Sequence, residues 1–284
     1  MTLDETKDTD KNDLKPSEIA RKIDERGIEK SKRKFLPTLV LSVLAGVFIG
    51  LGGIYFTFTT AEITINHTFT QIIGGISFSL GLILVVIAGA DLFTGNNLMS
   101  ISLLGKKISI AKLVRNWFIV YVGNFVGSVL IAFLLYLTNV WSNKEDGEFA
   151  IRAISIANHK VNLGFSDAFF LAILCNILVC MAIWLATSGR SVISKILAIV
   201  FPISAFVALG FEHSVANMYF ISFALMLLEN PNVPEMLQQS NALIDLSNLH
   251  MTGFLSNLLP VTLGNIAGGS IFIGFAYWIS FIRK

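Results

Sequence analysis

The sequence predicts an all-α, polytopic membrane protein: six transmembrane helices arranged as an inverted 3+3 repeat, with the second and fifth broken. Three observations lead there. The 284 residues are 54% hydrophobic and only 14% charged, with a mean hydropathy of +0.70. Soluble domains carry roughly a quarter charged residues, so this chain holds more apolar surface than one soluble core can bury. Six apolar stretches each approach or exceed the roughly 20 residues that a bilayer requires. Two of them are interrupted at corresponding places, Ala88-Gly-Ala-Asp-Leu-Phe-Thr-Gly-Asn96 and Leu209-Gly-Phe-Glu-His-Ser-Val-Ala-Asn217. Aligned, Gly89 meets Gly210, Asp91 meets Glu212, and Asn96 meets Asn217.

Residues 1–34 are polar and charged, which reads as a cytosolic N-terminal tail with no cleavable signal peptide. Within it, Ser17–Lys34 can form a helix with Ile19, Ile23 and Ile28 near one face, suited to lying against the membrane surface. Residues 35–284 form the six-helix transmembrane domain. Its spans are expected at Phe35–Phe58, Phe69–Leu104 (broken), Asn116–Leu137, Phe165–Ala186, Ile196–Leu228 (broken) and Phe254–Phe281.

Orientation follows from the basic residues in short connections. Lys30, Lys32, Arg33 and Lys34 precede the first span. Lys106, Lys107, Lys112 and Arg115 lie between the second and third, Arg190 and Lys195 between the fourth and fifth, and Arg283 and Lys284 at the end. The loops Thr60–His67 and Glu229–His250 carry no Lys or Arg. In the loop Trp141–Asn162, Lys144, Arg152 and Lys160 are offset by Glu145, Asp146 and Glu148. Both termini are therefore expected in the cytoplasm. The third span contains Gly123-Asn-Phe-Val-Gly127 and the sixth Gly264-Asn-Ile-Ala-Gly268, so spans one to three repeat as spans four to six. Three is odd, so the second copy is inverted, which puts a transport site near the midplane at the repeat interface.

The two breaks hold the chemistry. Irregular backbone survives at membrane depth only where it is buried in protein or lines a wet cavity. The freed N–H groups opening each second half-helix form a positive end suited to an anion. Asp91 and Glu212 read as caps for the interrupted backbone. His213 is an ionisable group at a break, expensive in a bilayer and functional by default, able to give a hydrogen bond or a proton. Thr94 offers a hydroxyl at the opposite break, and Asn176, a polar residue inside the fourth span, is placed to hold a loop. By pattern alone, Leu92, Phe93, Phe78 and Phe206 read as ordinary helix packing.

At Gly89-Ala-Asp-Leu-Phe-Thr94, Gly210-Phe-Glu-His-Ser-Val-Ala-Asn-Met218 and Ile173-Leu-Cys-Asn-Ile-Leu-Val-Cys180 the chain resembles the formate/nitrite transporter family. The resemblance covers all six spans and leaves out the N-terminal tail. It implies a homopentamer of aquaporin-like protomers, each with its own pore for small monovalent anions: formate first, with nitrite and hydrosulfide following. It also implies roles. Thr94 and His213 face the anion, Lys160 draws anions to the outer vestibule, and Asn176 and Glu212 hold the loop and the histidine. Leu92, Phe93 and Val179 form the cytosolic constriction, and Phe78, Leu82 and Phe206 the outer one. Two apolar constrictions around a histidine would make a bare charge costly, a cost that a weak acid escapes by taking a proton.

Other classes fit less well. Glu212, His213 and Ser214 are adjacent, but neighbours on a helix point about 100° apart and do not assemble a nucleophile and its base. No metal motif or cofactor fingerprint is present, so no enzyme, metal or cofactor is expected, and no basic tract suggests nucleic acid. An aquaporin-like channel for neutral solutes shares the architecture, but Asn-Pro-Ala loops are absent; the one Asn-Pro, Asn230-Pro231, lies in an outside loop. A scaffold or receptor without transport leaves the two matched breaks without a role.

Overall fold

The computed structural model describes residues 13–61, 66–138, 140–142, 147–239 and 244–283. Every regular element among them is helical. The first twelve residues of the tail, Lys144, Glu145, Asp146, Lys284 and parts of the loops Thr60–His67 and Glu229–His250 lie outside the described residues.

The first half comprises α1 (Pro16–Lys32), α2 (Phe35–Thr60), α3 (His67–Ala88), the short α4 (Phe93–Asn96), a 3-10 turn (Asn97–Met99), α5 (Ser100–Leu104) and α6 (Ile110–Leu137). The second comprises α7 (Glu148–Val161), α8 (Phe165–Ser188), α9 (Val192–Ala208), α10 (Ser214–Leu228), α11 (Val233–Gln239) and α12 (Met251–Ile266). Wider π-type turns continue α12 over Ala267–Phe275 and Trp278–Ile282. By length and composition α2, α3, α6, α8 and the stretch Met251–Ile282 can each cross a membrane, while α9 and α10 are shorter apolar helices.

Local sequence explains the ends. Asn66, Ser109 and Ser191 cap α3, α6 and α9 by accepting from Thr68, Lys112 and Ser194 backbone N–H groups. At the other end, α3 stops at Gly89 (φ 81°) and α9 runs out at Gly210 (φ 70°). In both places a six-residue closing bond forms, Ala90 N–H to Val85 O and Phe211 N–H to Phe206 O, each 2.9 Å. That pairing with a left-handed glycine is a standard helix stop. The two Gly positions aligned in the sequence are therefore where helix α3 and helix α9 end.

Small residues set the helix spacing. A methyl group added at Gly46 would strike Asn124 O, and one at Gly127 would strike Val43 O, so α2 and α6 touch backbone to backbone. Gly264 and Gly268 put α12 equally close to Phe169 O and Ile173 O of α8. The outer surface is inverted relative to a soluble protein: Phe118, Ile193 and Phe201 are 69%, 71% and 72% exposed. Apolar exposure on this scale calls for a nonaqueous surrounding or a partner.

Two elements differ from the sequence reading. The α1 helix turns the face carrying Ile19, Ala20 and Ile23 onto the protein itself, against Leu98, Ile101, Cys180 and Trp184. Asp24, buried on the same helix, pairs with Lys107, and Ser102 Oγ donates to Asp24 O (2.9 Å). The α7 helix falls where only a loop was expected. Its buried Phe149, Ala150, Ala153, Ile154, Ala157 and Val161 recur at helical spacing, a stripe masked by the charges around it.

Candidate functional site

The segments following α3 and α9 meet in the protein interior, each clamped by one asparagine. Asn124 Oδ1 accepts from Phe93 N–H (2.8 Å), and its Nδ2 donates to Ser42 O (2.8 Å) and Asp91 O (2.9 Å). Asn265 repeats the arrangement: Oδ1 accepts from Ser214 N–H (2.9 Å), and Nδ2 donates to Ala172 O (2.9 Å) and Glu212 O (3.0 Å). Each amide thus satisfies two backbone groups at the interrupted segment that would otherwise be orphaned, and ties them to a carbonyl inside α2 or α8. Both asparagines are wholly buried. They are the second residues of the two Gly-Asn-x-x-Gly strings, which the sequence reading used only as a sign of repetition.

Asp91 and Glu212 do not cap the open backbone, as expected from sequence. Their side chains pair with cations that precede α2 and α8. Asp91 binds Lys30 (2.9 Å) and Arg33, and Glu212 binds Lys160 (2.7 Å). Both acids are 1% exposed, so the pairing removes most of the penalty of a buried charge. Glu212 Oε2 also accepts from Asn217 Nδ2 (2.6 Å), which donates in turn to Asn257 Oδ1 (2.7 Å). On the other side Asn96 donates to Asn116 Oδ1 (2.9 Å) and accepts from Lys30 Nζ (2.6 Å). Lys30 and Arg33 entered the sequence reading only as charges marking a side; their role here depends on α1 folding back onto the body.

The capping is done by His213. Its Nδ1 accepts from Ala216 N–H (3.0 Å) at the start of α10. A ring nitrogen that accepts carries no proton, so in the neutral ring the proton sits on Nε2. Nε2 lies 2.9 Å from Thr94 Oγ1. The imidazole is thereby a neutral donor whose N–H points at the threonine hydroxyl. The anion-binding ends proposed from the free N–H groups are partly filled, since Phe93, Ser214 and Ala216 N–H groups are taken by Asn124, Asn265 and His213. What remains facing inward is the side-chain pair Thr94 and His213, 0% and 2% exposed.

Asn176 of α8 fixes the turn carrying Thr94. Its Nδ2 lies 2.6 Å from Asn265 O, 2.8 Å from Asn97 Oδ1 and 3.3 Å from Thr94 O, which ties the turn to α8 and α12. The apolar candidates Leu82, Leu92, Phe93, Val179, Phe78 and Phe206 belong to one packed core and are all at most 3% exposed. Phe78 meets Phe206 edge to face at 5.8 Å, and Phe206 lies 6.0 Å from the His213 ring. Phe93 is braced by Tyr121 (4.9 Å) and Trp117 (6.2 Å).

Two cavities approach this layer. One of about 310 Å³ is lined by Lys30, Arg33, Asp91, Leu92 and Lys195. The other, about 480 Å³, is lined by Phe78, Arg152, Lys160, Phe206 and His213. Among the described residues no group of three or more His, Cys, Asp or Glu is placed to hold a metal ion.

Long apolar helices with an apolar exterior, closing over a buried polar pair, define a multi-pass membrane protein. Residues 17–279 match the family model described as formate/nitrite transporter, and the chain belongs to that family. It is 37% identical over 273 residues to the formate channel FocA of Escherichia coli (strain K12), covering 95% of both chains. It is 39% identical over 249 residues to FocA of Haemophilus influenzae, covering 86% of each. Its fold is similar to a pentameric formate channel solved with formate bound: TM-score 0.78 and 36% identity over 88% of this chain and 98% of that one.

Proposed function

We propose that this chain is a channel for small monovalent anions of weak acids, with formate as the first substrate, and that it does no catalysis. The observation carrying the reading is the Thr94 Oγ1–His213 Nε2 contact of 2.9 Å, enclosed by apolar side chains between two cation-lined cavities. Relatives named as formate channels support the substrate, and the pentameric structure supports a homopentamer.

In this account formate enters a cavity, sheds water at Phe78, Leu82 and Phe206 or at Leu92, Phe93 and Val179, and meets two donors at the centre. His213 Nε2–H and the Thr94 hydroxyl take the place of the lost water. Protonating His213 as well would require Nδ1 to release Ala216 N–H, so hydrogen bonding is the role that the geometry favours. Asn176, Glu212 and Lys160 hold the two donors at their separation. Residues 35–284 form the channel body in the cell membrane, and residues 1–34 lie on the cytoplasmic side with the C-terminus.

The paired contacts support an inverted 3+3 repeat with broken second and fifth helices. Gly89 and Gly210, the Asn124 and Asn265 clamps, and the Lys30–Asp91 and Lys160–Glu212 pairs are each other's counterparts. Two more counterparts are Asp91 N–H bonded to Leu41 O and Glu212 N–H bonded to Leu171 O.

The test is flux into proteoliposomes offered formate, nitrite, hydrosulfide or glycerol. Formate passage well above that of protein-free vesicles is expected. Glycerol passage without any anion passage would return the chain to a neutral-solute channel.

A further inference from the structure

The outer cavity contains a cation that the Thr94–His213 site does not use. One face of α7 lines that cavity with Arg152, Ser155, Ile156, His159 and Lys160, residues three to four apart along the helix. Lys160 is already committed. Its ammonium lies 2.7 Å from Glu212 Oε1 and stacks over the Phe220 ring at 5.7 Å, so its charge is largely neutralised by a buried carboxylate. Arg152 stands two turns earlier. Its Nε–H donates to Thr60 Oγ1 (3.0 Å), and its guanidinium lies over the Phe56 ring at 5.9 Å. Among the described residues no carboxylate forms an ion pair with it. Burial holds its pKa below the ordinary arginine value, the mark of a cation partly stripped of water.

We propose that Arg152 is the residue that captures the anion in the outer cavity, before the anion reaches His213, and that Lys160 serves mainly to hold Glu212. The ligand class is a small planar oxyanion such as a carboxylate. The guanidinium is a planar fork that matches two carboxylate oxygens, and with Nε on Thr60 its terminal N–H groups remain to make that match. Ser155 lies on the same helix face and supplies a hydroxyl, and Gln71 lines the same cavity. The aromatic floor of Phe56, Phe78 and Phe220 keeps the local dielectric low, which strengthens the attraction over that of an exposed arginine. The capture site is thus wet and cationic, and the apolar layer of Phe78 and Phe206 separates it from the histidine. The inference rests on the anion-channel reading above and adds to it a residue that sets entry from one side.

The experiment is one-sided anion current through the intact assembly in planar bilayers, with formate at low concentration on each side in turn and a membrane voltage that drives the anion away from that side, so that entry limits the current. The variants are Arg152→Gln, Arg152→Lys and Lys160→Gln, each checked for parent-like assembly by size-exclusion chromatography. Arg152→Gln is expected to lower formate entry from the outer side at least about threefold at low salt, with little change from the inner side. The loss should shrink toward zero near 1 M salt, where the screening length falls to about 3 Å. Arg152→Lys retains the charge without the planar fork and should restore only part of the entry, whereas a role confined to the Thr60 contact would predict no dependence of that entry on salt. Lys160→Gln should reduce flux equally from both sides. An Arg152→Gln channel with parent-like entry from the outside at low salt would overturn the assignment while leaving the channel reading intact. An Arg152→Gln loss equal from both sides would reduce Arg152 to a structural residue. A parent without formate flux would overturn both readings together.

Discussion

Replacing Lys160 by methionine keeps the length and apolar stem of the side chain and removes its charge. Glu212 is 1% exposed, and among the described residues its carboxylate has, apart from Lys160, only the amides of Asn217 (2.6 Å) and, at the limit, Asn257 (3.5 Å). An abandoned buried charge costs about 3–5 kcal/mol. The companion change Glu212→Gln removes the negative charge while keeping an oxygen for Asn217 to donate to, so the double variant should regain most of that loss. The coupling between the two sites should come out at about 2–4 kcal/mol, well outside the roughly 0.5 kcal/mol within which independent sites add. Thermal unfolding of the detergent-solubilised protein gives the order directly: parent most stable, double variant next, Lys160→Met lowest. A double variant that melts at or below Lys160→Met would refute the claim that Glu212 is charged and held by Lys160.

Gly210→Ala should destabilise by about 1–2 kcal/mol, because φ of 70° is unfavourable for an L side chain; no atom lies within 4 Å of the added methyl, so a loss read by thermal unfolding isolates backbone strain, and parent-like stability would show that the α9 stop does not need the left-handed turn. Asn265→Ala strips Ser214 N–H and Glu212 O of their side-chain partner, each worth about 1–3 kcal/mol when left buried and unmet, and should abolish stable assembly on size exclusion, whereas a well-assembled variant would remove Asn265 as the loop clamp. For topology, a cysteine at Asn232 in a cysteine-free background should react with an impermeant thiol reagent from outside and one at Gly105 should not; the reverse pattern would invert the proposed orientation.

Much of this architecture is legible in the sequence because its signals are local. Apolar length marks the helices, and the Gly-Ala-Asp and Gly-Phe-Glu strings mark where α3 and α9 end, since only glycine takes the left-handed turn cheaply. His213 and Thr94 stand out as polar residues at those ends. The partnerships do not show, because they join residues far apart in the chain: Asp91 with Lys30 and Arg33, Asn124 with Asp91 O, and Asn265 with Glu212 O. The acids looked like caps when read beside the nearest open backbone, yet the caps are asparagines from other helices and the ring of His213. The α7 helix was hidden because its apolar stripe is narrow and charges flank it. In the sequence Arg152 is one charge among several in a loop, and only the fold of α7 brings it to the cavity that His213 also lines.

The central claim is that formate passes between Thr94 and His213, with the histidine acting as a fixed neutral donor. His213→Asn keeps a short polar side chain able both to cap α10, since asparagine is a favoured N-cap, and to donate toward Thr94. His213→Phe keeps the bulk and can do neither. The decisive measurement is formate uptake by proteoliposomes as a function of pH for the parent and both assembled variants. The account predicts that the asparagine variant retains most of the parent's flux and its pH response, while the phenylalanine variant passes almost none. An asparagine variant as inactive as the phenylalanine one would contradict it and make a proton from His213 indispensable, and parent-like flux through His213→Phe would remove the histidine from the pathway altogether.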